Sequence, residues 1–145
     1  MEKRRKKVSR HQRKHYWIAA LIGAAVLALV LMVALPPWLR KRQAKHDVDT
    51  LVLALKGFAL ENGGYPKGSP SQLAAILRGE NIGGQNPKRL DYVVANMGEM
   101  NAAGEFVDPW GKAYRISIEP DASAYSCGPN RQDENGAGDD ITSWK

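Results

Sequence analysis

Residues 108–144 decide how this chain folds: they open with DPWG at 108–111 and end with SCGPNRQDENGAGDDITSW at 126–144. The second tract is too polar and too rich in glycine to build a hydrophobic core of its own. An additional interaction must therefore hold it, and oxygen-bearing side chains crowded into one loop are the ligands that Ca²⁺ prefers. The tract lacks EF-hand spacing, so its composition alone leaves a solvated acidic loop as the alternative.

Basic charge is concentrated at the start of the chain. Residues 1–15 carry eight Lys/Arg and one acid, whereas residues 40–145 carry thirteen Lys/Arg and fourteen acids. A basic tail can bind nucleic acid. Next to an apolar run, however, such a tail more often faces the anionic cytoplasmic leaflet of a membrane and sets the orientation of the protein. We therefore expect a membrane partner and no nucleic acid.

Residues 16–35 form a run of twenty residues without a charged side chain. At about 1.5 Å per residue, a helix of this length crosses a hydrocarbon core of roughly 30 Å. Trp17 and Trp38 suit the two interfaces, and Pro36-Pro37 is expected to end or kink the helix at the far one.

A permanent anchor explains this run better than a cleaved signal peptide does. Signal peptides have an apolar core of about 7–15 residues followed by an Ala-x-Ala-like site. The run is longer, and no clear site follows it. We predict a basic cytoplasmic tail at 1–15, a single transmembrane helix at 16–39, and an extracytoplasmic domain at 40–145.

The pattern after the membrane segment predicts an α+β domain. Residues 44–62 place apolar side chains at helical spacing, and Ser69-Pro70-Ser71-Gln72 begins a second, short helix with a capping box, which Gly79 ends. Residues 112–118 alternate as a strand does, and residues 122–127 can return as its antiparallel partner. We expect the long helix to pack on one face of this small sheet.

Three motifs in a fixed order resemble the major pseudopilin of type II secretion systems. They are ENGGYP at 61–66, DPWG at 108–111 and DDI-x-x-W at 139–144. The similarity covers about residues 44–144. It implies a pilin-like fold, with a long amphipathic helix packed on a small antiparallel sheet and a C-terminal Ca-type loop. It also implies a structural component of a type II secretion or type IV pilus-like system.

The resemblance further implies a calcium site, because the equivalent loop of these pseudopilins binds Ca²⁺ and is held folded by it. By position, Asp139 and Asp140 match paired aspartates of the family, and Asn130 matches an acidic ligand. Cys127 matches a residue that donates its backbone carbonyl. The implied metal ligands are therefore Cys127, Asn130, Asp139 and Asp140. Asn130 still offers an oxygen, but it lacks the charge of the acid it replaces.

Other conspicuous residues of the region have structural interpretations. Asp133 and Glu134 either compensate for the neutral Asn130 or face solvent. DPWG at 108–111 favours a turn with its tryptophan as an apolar anchor. Trp144 is expected to pack the C-terminal end back onto the domain.

The sequence lacks the parts of a catalytic site. The three histidines, at 11, 15 and 46, have no partner at metal-ligand spacing. No histidine follows residue 46 to activate a serine, and there is neither a phosphate loop nor a dinucleotide fingerprint. We expect a structural protein rather than an enzyme.

The membrane segment departs from the family pattern. Pseudopilins are cleaved after a glycine that precedes an apolar residue, and the mature chain carries a glutamate at its fifth position. Here Gly23 is the only glycine in the span, it is followed by AAVLA at 24–28, and no glutamate occurs between it and Pro36. We therefore expect an atypical anchor that is not cleaved.

Two functions remain in view. In the first, the chain is a pseudopilin-like component whose partners are other pseudopilins, inner-membrane proteins of the secretion system, or a second copy of itself. In the alternative, it is a stand-alone membrane-tethered module that is stabilised by Ca²⁺, binds a protein and does not polymerise. In both, it lies in the cytoplasmic membrane with its C-terminal domain in the periplasm or outside.

Overall fold

The structure is a computed structural model that describes residue 23, residues 36–93, residue 97 and residues 99–145. The predicted tail at 1–15 lies outside these residues, as does the predicted transmembrane helix at 16–39 apart from residues 23 and 36–39. Among the residues that the structure describes, no helix combines the length and the hydropathy needed to cross a membrane. Residues 37–145 form one unit.

The first element of this unit is a long helix, α1, over Pro37–Asn62. It begins seven residues before the predicted start at residue 44, because proline is tolerated at the first helical position, where its missing N–H would have no partner in any case. It ends where the sequence predicts. The Gly63 amide donates to the Ala59 carbonyl at 2.9 Å, and Gly63 adopts a φ of +77°, which closes the last turn.

One face of α1 supplies much of the hydrophobic core. Its buried side chains recur three or four residues apart: Ala44, Asp47, Val48, Leu51, Ala54, Leu55 and Phe58. The apolar side chains from Val48 to Phe58 in this set pack with Ile76, Phe106 and Ala124 from the rest of the unit. Each fully buried leucine, valine or phenylalanine contributes about 1.5–3 kcal/mol, so this apolar face is what holds α1 on the sheet.

The second helix, α2, spans Pro70–Leu77 and confirms the predicted capping box. The Gln72 amide donates to Ser69 Oγ at 3.3 Å, and the Ser69 amide donates to Gln72 Oε1 at 2.8 Å. The two bonds satisfy amides that a helix start otherwise leaves unpaired. A single 3₁₀ turn over Ile82–Gly84 follows.

Three short strands make an antiparallel sheet in the order β1-β2-β3. They are β1 at Arg115–Ser117, β2 at Ser123–Ser126 and β3 at Ile141–Thr142. In the register, Tyr125 pairs with Arg115 on one side and with Thr142 on the other. The predicted strands at 112–118 and 122–127 are confirmed as shorter elements, whereas β3 was not predicted. Together, α1 and this sheet confirm the α+β fold class.

The C-terminal strand is fastened to α1 by a side chain. Lys45 Nζ donates to the backbone carbonyl of Thr142 at 2.9 Å and to Asp49 Oδ1 at 2.9 Å. On its other side, the segment is held to β2, since the Ser143 amide donates to the Ala124 carbonyl at 3.0 Å. A strand of only two residues is thereby fixed between the helix and the sheet.

A carboxyl group of α1 is buried against Tyr114, the residue that precedes β1. Asp47 is 1% exposed, and Tyr114 Oη donates a hydrogen bond of 2.8 Å to its Oδ2. Burial raises the pKa of Asp47, and the hydrogen bond from Tyr114 and the nearby His46 offset this rise only in part. Burial and the adjacent carboxyl group also raise the pKa of Tyr114.

This raised pKa predicts how stability depends on pH. The contribution of Asp47 to folding stability is fully present below the pKa of about 3.9 that this carboxyl group has in the unfolded chain. It is lost as pH rises through the higher pKa of the folded state. Asp47→Asn removes the buried charge but keeps an oxygen for Tyr114. We expect the free energy of unfolding of Asp47→Asn to increase relative to that of the unchanged protein as pH rises from about 4 to 7.

Denaturant unfolding of the full chain in detergent measures this difference at each pH. Asp49→Asn is the control, because Asp49 lies on the same helix with its side chain about half exposed, where an ion pair contributes about 0–1 kcal/mol. A difference between Asp47→Asn and the unchanged protein that stays constant across the pH range would contradict this account.

Candidate metal centre

A fourteen-residue loop, residues 127–140, joins β2 to β3. It turns inward at glycines in the left-handed region, with φ of +65° at Gly128 and +50° at Gly138. A Cβ on Gly128 would overlap the backbone carbonyl of Asp139, and one on Gly138 would overlap the carboxylate of Glu134. The loop therefore packs its own backbone and acidic side chains closely together.

Three carboxylates meet inside this loop. One carboxylate oxygen from each of Glu134, Asp139 and Asp140 lies within 4.8 Å of the other two. Asp140 is only 7% exposed, while Glu134 and Asp139 are partly buried. We call these three residues the carboxylate cluster.

Each member of the cluster uses one oxygen to hold the backbone of the loop. Asp139 Oδ2 accepts from the Asn130 amide at 3.0 Å, and Glu134 Oε2 accepts from the Asp139 amide at 3.1 Å. Asp140 Oδ2 accepts from the amides of Glu134 at 3.1 Å and Gly136 at 2.8 Å. The other oxygens of the two aspartates, Asp139 Oδ1 and Asp140 Oδ1, are buried without a hydrogen-bond partner in the described part of the chain.

This arrangement is costly unless a cation compensates it. A buried acceptor without a partner costs about 1–3 kcal/mol, and two unit charges about 5 Å apart repel by roughly 3 kcal/mol at an effective dielectric constant of about 20. The four Lys/Arg–carboxylate ion pairs found among the described residues include no member of the cluster. Oxygen ligands, negative charge and two unpaired buried oxygens together fit a hard divalent cation such as Ca²⁺.

Comparison with protein families identifies the domain that carries this loop. The family model described as type II secretion system (T2SS), protein G matches residues 39–144. The chain belongs to the type II secretion system protein G family. Neither the curated proteins nor the solved structures compared with the chain give a match. The match covers nearly all of α1, the sheet and the loop, and it confirms the resemblance to the major pseudopilin.

The structure brings two of the four implied ligands of this protein G domain together. Asp139 and Asp140 lie in the carboxylate cluster, and Asn130 lies beside it with both polar side-chain atoms engaged. Its Nδ2 donates to Glu134 Oε2 at 3.2 Å, and its Oδ1 accepts from the Gln132 amide at 2.7 Å. Cys127 is buried, and burial raises the pKa of its thiol. The four-residue ligand set stays a prediction.

The two remaining acidic residues of the loop have different surroundings. Asp133 is held by Arg115, whose Nε lies 2.9 Å from Oδ2, and by Tyr125 Oη, which donates to Oδ1 at 2.8 Å. The Tyr125 hydrogen bond lowers the pKa of Asp133, while burial and that bond raise the pKa of Tyr125 to about 12. Glu134 instead joins the cluster, five and six residues before the two aspartates, a spacing that matches no familiar metal motif.

The DPWG motif has a structural role in the protein G domain, as predicted. Asp108 Oδ1 accepts from the amides of Trp110 at 3.0 Å and Lys112 at 2.8 Å, which closes the turn. Its Oδ2 accepts from Ser126 Oγ at 2.6 Å, and that hydroxyl accepts from the Gly128 amide at 3.0 Å. The buried Asp108 thus links the DPWG turn to the first residues of the loop.

Trp144 covers one side of the loop. Its ring lies against Gly136, where a Cβ would overlap it, and it meets Tyr125 edge-on with ring centroids 6.0 Å apart. The side chain is still 53% exposed. Lys145 Nζ adds a hydrogen bond of 2.6 Å to the Gly136 carbonyl. The C-terminal end therefore packs back onto the domain, as expected, with half of the indole in solvent.

The close approach at Gly128 predicts the effect of a single methyl group. Gly128→Ala would bring both left-handed strain and a clash with the Asp139 carbonyl. Gly84→Ala is the matched control, because Gly84 has a φ of +75° with no atom within 4 Å of an added Cβ. We expect Gly128→Ala to cost about 1–3 kcal/mol more than Gly84→Ala in free energy of unfolding. Equal costs in denaturant titrations would show that the loop is not closed against Asp139.

Proposed function

We propose that this chain is a membrane-anchored, structural component of a type II secretion system, built as a pseudopilin and without catalytic activity. The observation that carries the proposal is the protein G match over residues 39–144. The long helix α1 supports it, packed on a three-stranded sheet whose last two strands are joined by an acidic loop. A structural role is consistent with a family of filament proteins rather than enzymes.

The membrane anchor is proposed from the sequence alone. Residues 16–39 would cross the cytoplasmic membrane once, with the basic tail inside and the protein G domain in the periplasm or outside. Because Gly23 is not followed by the family's glutamate-bearing pattern, we propose that the span stays uncleaved. Its partners would be other pseudopilins, inner-membrane proteins of the secretion system, or a second copy of the chain.

The missing glutamate favours a second candidate function. A charged group inside a membrane is costly and usually functional, and the glutamate that aligns pseudopilin subunits has no counterpart between Gly23 and Pro36. The alternative is a membrane-tethered module that uses a calcium-stabilised protein G domain to bind a protein without polymerising.

We further propose that Ca²⁺ stabilises the loop through Asp139 and Asp140. Their unpaired buried oxygens support this role, since a bound cation would give both atoms a partner. The ion would supply positive charge that offsets the crowded carboxylates. The protein holds the two side chains in place by the amide hydrogen bonds to their other oxygens.

Gene deletion in the bacterium that encodes the chain tests the secretion role. We expect deletion to abolish release of type II substrates into the medium and the full chain to restore it, while chemical cross-linking captures other pseudopilins. The intact mass of the membrane-purified protein should show that residues 1–23 are retained. Normal secretion after deletion, without cross-links to pseudopilins, would favour the stand-alone module.

Calcium dependence is tested by thermal unfolding of the full chain in detergent, with Ca²⁺ or with EDTA. A ligand present at 100 times its Kd stabilises the folded state by about 2.7 kcal/mol, which should raise Tm by several degrees. Asp140→Asn should remove most of this rise. Asp133→Asn, which removes one charge outside the cluster, should keep it. Identical Tm values for the unchanged protein in Ca²⁺ and EDTA would refute the calcium site.

A further inference from the structure

We propose that Glu134, and not Asn130, supplies the third side-chain ligand of this calcium site, and that Asn130 positions the ligands. The inference rests on the proposed calcium-binding function and departs from the ligand set implied by the family. It follows from which oxygen atoms of Glu134 and Asn130 are free of hydrogen bonds within the loop and can therefore bind a cation. Asp140 gives separate evidence that an ion binds here, because the residue is only 7% exposed and its Oδ1 has no hydrogen-bond partner in the described residues.

Glu134 lies where a ligand is needed. Its carboxylate shares the 4.8 Å cluster with Asp139 and Asp140, and it reaches this place because Gly138 has no Cβ to block it. Hydrogen bonds from the described residues reach Oε2 alone. Oε1 accepts no hydrogen bond from these residues and is left to bind an ion.

Asn130 lies beside the cluster but directs a donor toward it. Its Nδ2 donates to Glu134 Oε2, and its Oδ1, the one side-chain atom that could bind a cation, already accepts from the Gln132 amide. Its backbone amide donates to Asp139 Oδ2. Asn130 therefore orients two carboxylates through its backbone and side-chain amide groups. Residues that hydrogen-bond to metal ligands commonly have this role.

The charge balance agrees with this assignment. Asn130 is neutral where the resemblance implies an acid, and Glu134 restores the missing unit of charge within the same loop. Three carboxylates around one divalent ion give a stronger site than two, because charge count is a main determinant of Ca²⁺ affinity. Asp133 cannot take this place, since Arg115 and Tyr125 hold both of its oxygens.

Terbium luminescence on the full chain in detergent separates the two assignments. Tb³⁺ takes oxygen ligands as Ca²⁺ does, and its decay rates in H₂O and D₂O give the number of water molecules bound to the ion. We expect Glu134→Ala to raise that number by about one or two, as water replaces the lost carboxylate oxygens. Asn130→Ala should leave it unchanged. A rise with Asn130→Ala and none with Glu134→Ala would overturn the proposal.

Isosteric variants test charge without changing shape. Glu134→Gln keeps an oxygen that can accept the Asp139 amide, so a purely structural role would leave Ca²⁺ affinity nearly unchanged. We expect a loss of about tenfold or more in Ca²⁺ affinity by calorimetry. The control, Asp133→Asn, removes the same charge from the neighbouring residue and should change Kd by less than about threefold, because its carboxylate is exposed and screened.

These outcomes are distinguishable from failure of the calcium site itself. If the unchanged protein binds neither Tb³⁺ nor Ca²⁺, the calcium function and this inference both fail. If it binds Ca²⁺ and Glu134→Gln binds equally well, the calcium function stands and the assignment of Glu134 is wrong.

Discussion

Closure of the loop between β2 and β3 is the constraint on which the rest of the sheet depends. The three strands contain three, four and two residues, and a sheet this small is not stable without further packing. Residues 127–140 must return β3 to the edge of β2, and they do so with almost no apolar side chains. Carboxylate oxygens bonded to backbone amides take the place of a hydrophobic core, which leaves negative charge crowded in the loop.

The closed loop is connected to the helix and to the DPWG turn. Lys45 on α1 binds the carbonyl of Thr142 in β3, and Asp108 in the turn binds Ser126 at the end of β2. Stabilising the loop therefore also stabilises the contact between the sheet and α1. A calcium ion in this loop would link the integrity of the protein G domain to the ions around it.

Much of this fold could be predicted from the sequence, because its signals are local. Helical spacing in α1 and the capping box at Ser69 depend on residues only a few positions apart. The sequence predicts the start of α1 too late, because Pro36-Pro37 equally suits the end or a kink of a membrane helix, although proline also begins helices. Strand β3 has two residues and is defined by its pairing with Tyr125 and Ser126 of β2. The sequence leaves two roles open for Glu134, because no spacing rule shows which oxygens of a loop lack a hydrogen-bond partner.

The most direct test of the central claim is long-wavelength anomalous diffraction from crystals of this chain grown with Ca²⁺. The account predicts one calcium peak about 2.3–2.6 Å from Asp139 Oδ1, Asp140 Oδ1 and a carboxylate oxygen of Glu134. It would be contradicted by a closed loop without a peak, with a lysine or arginine side chain bound to those two aspartate oxygens instead.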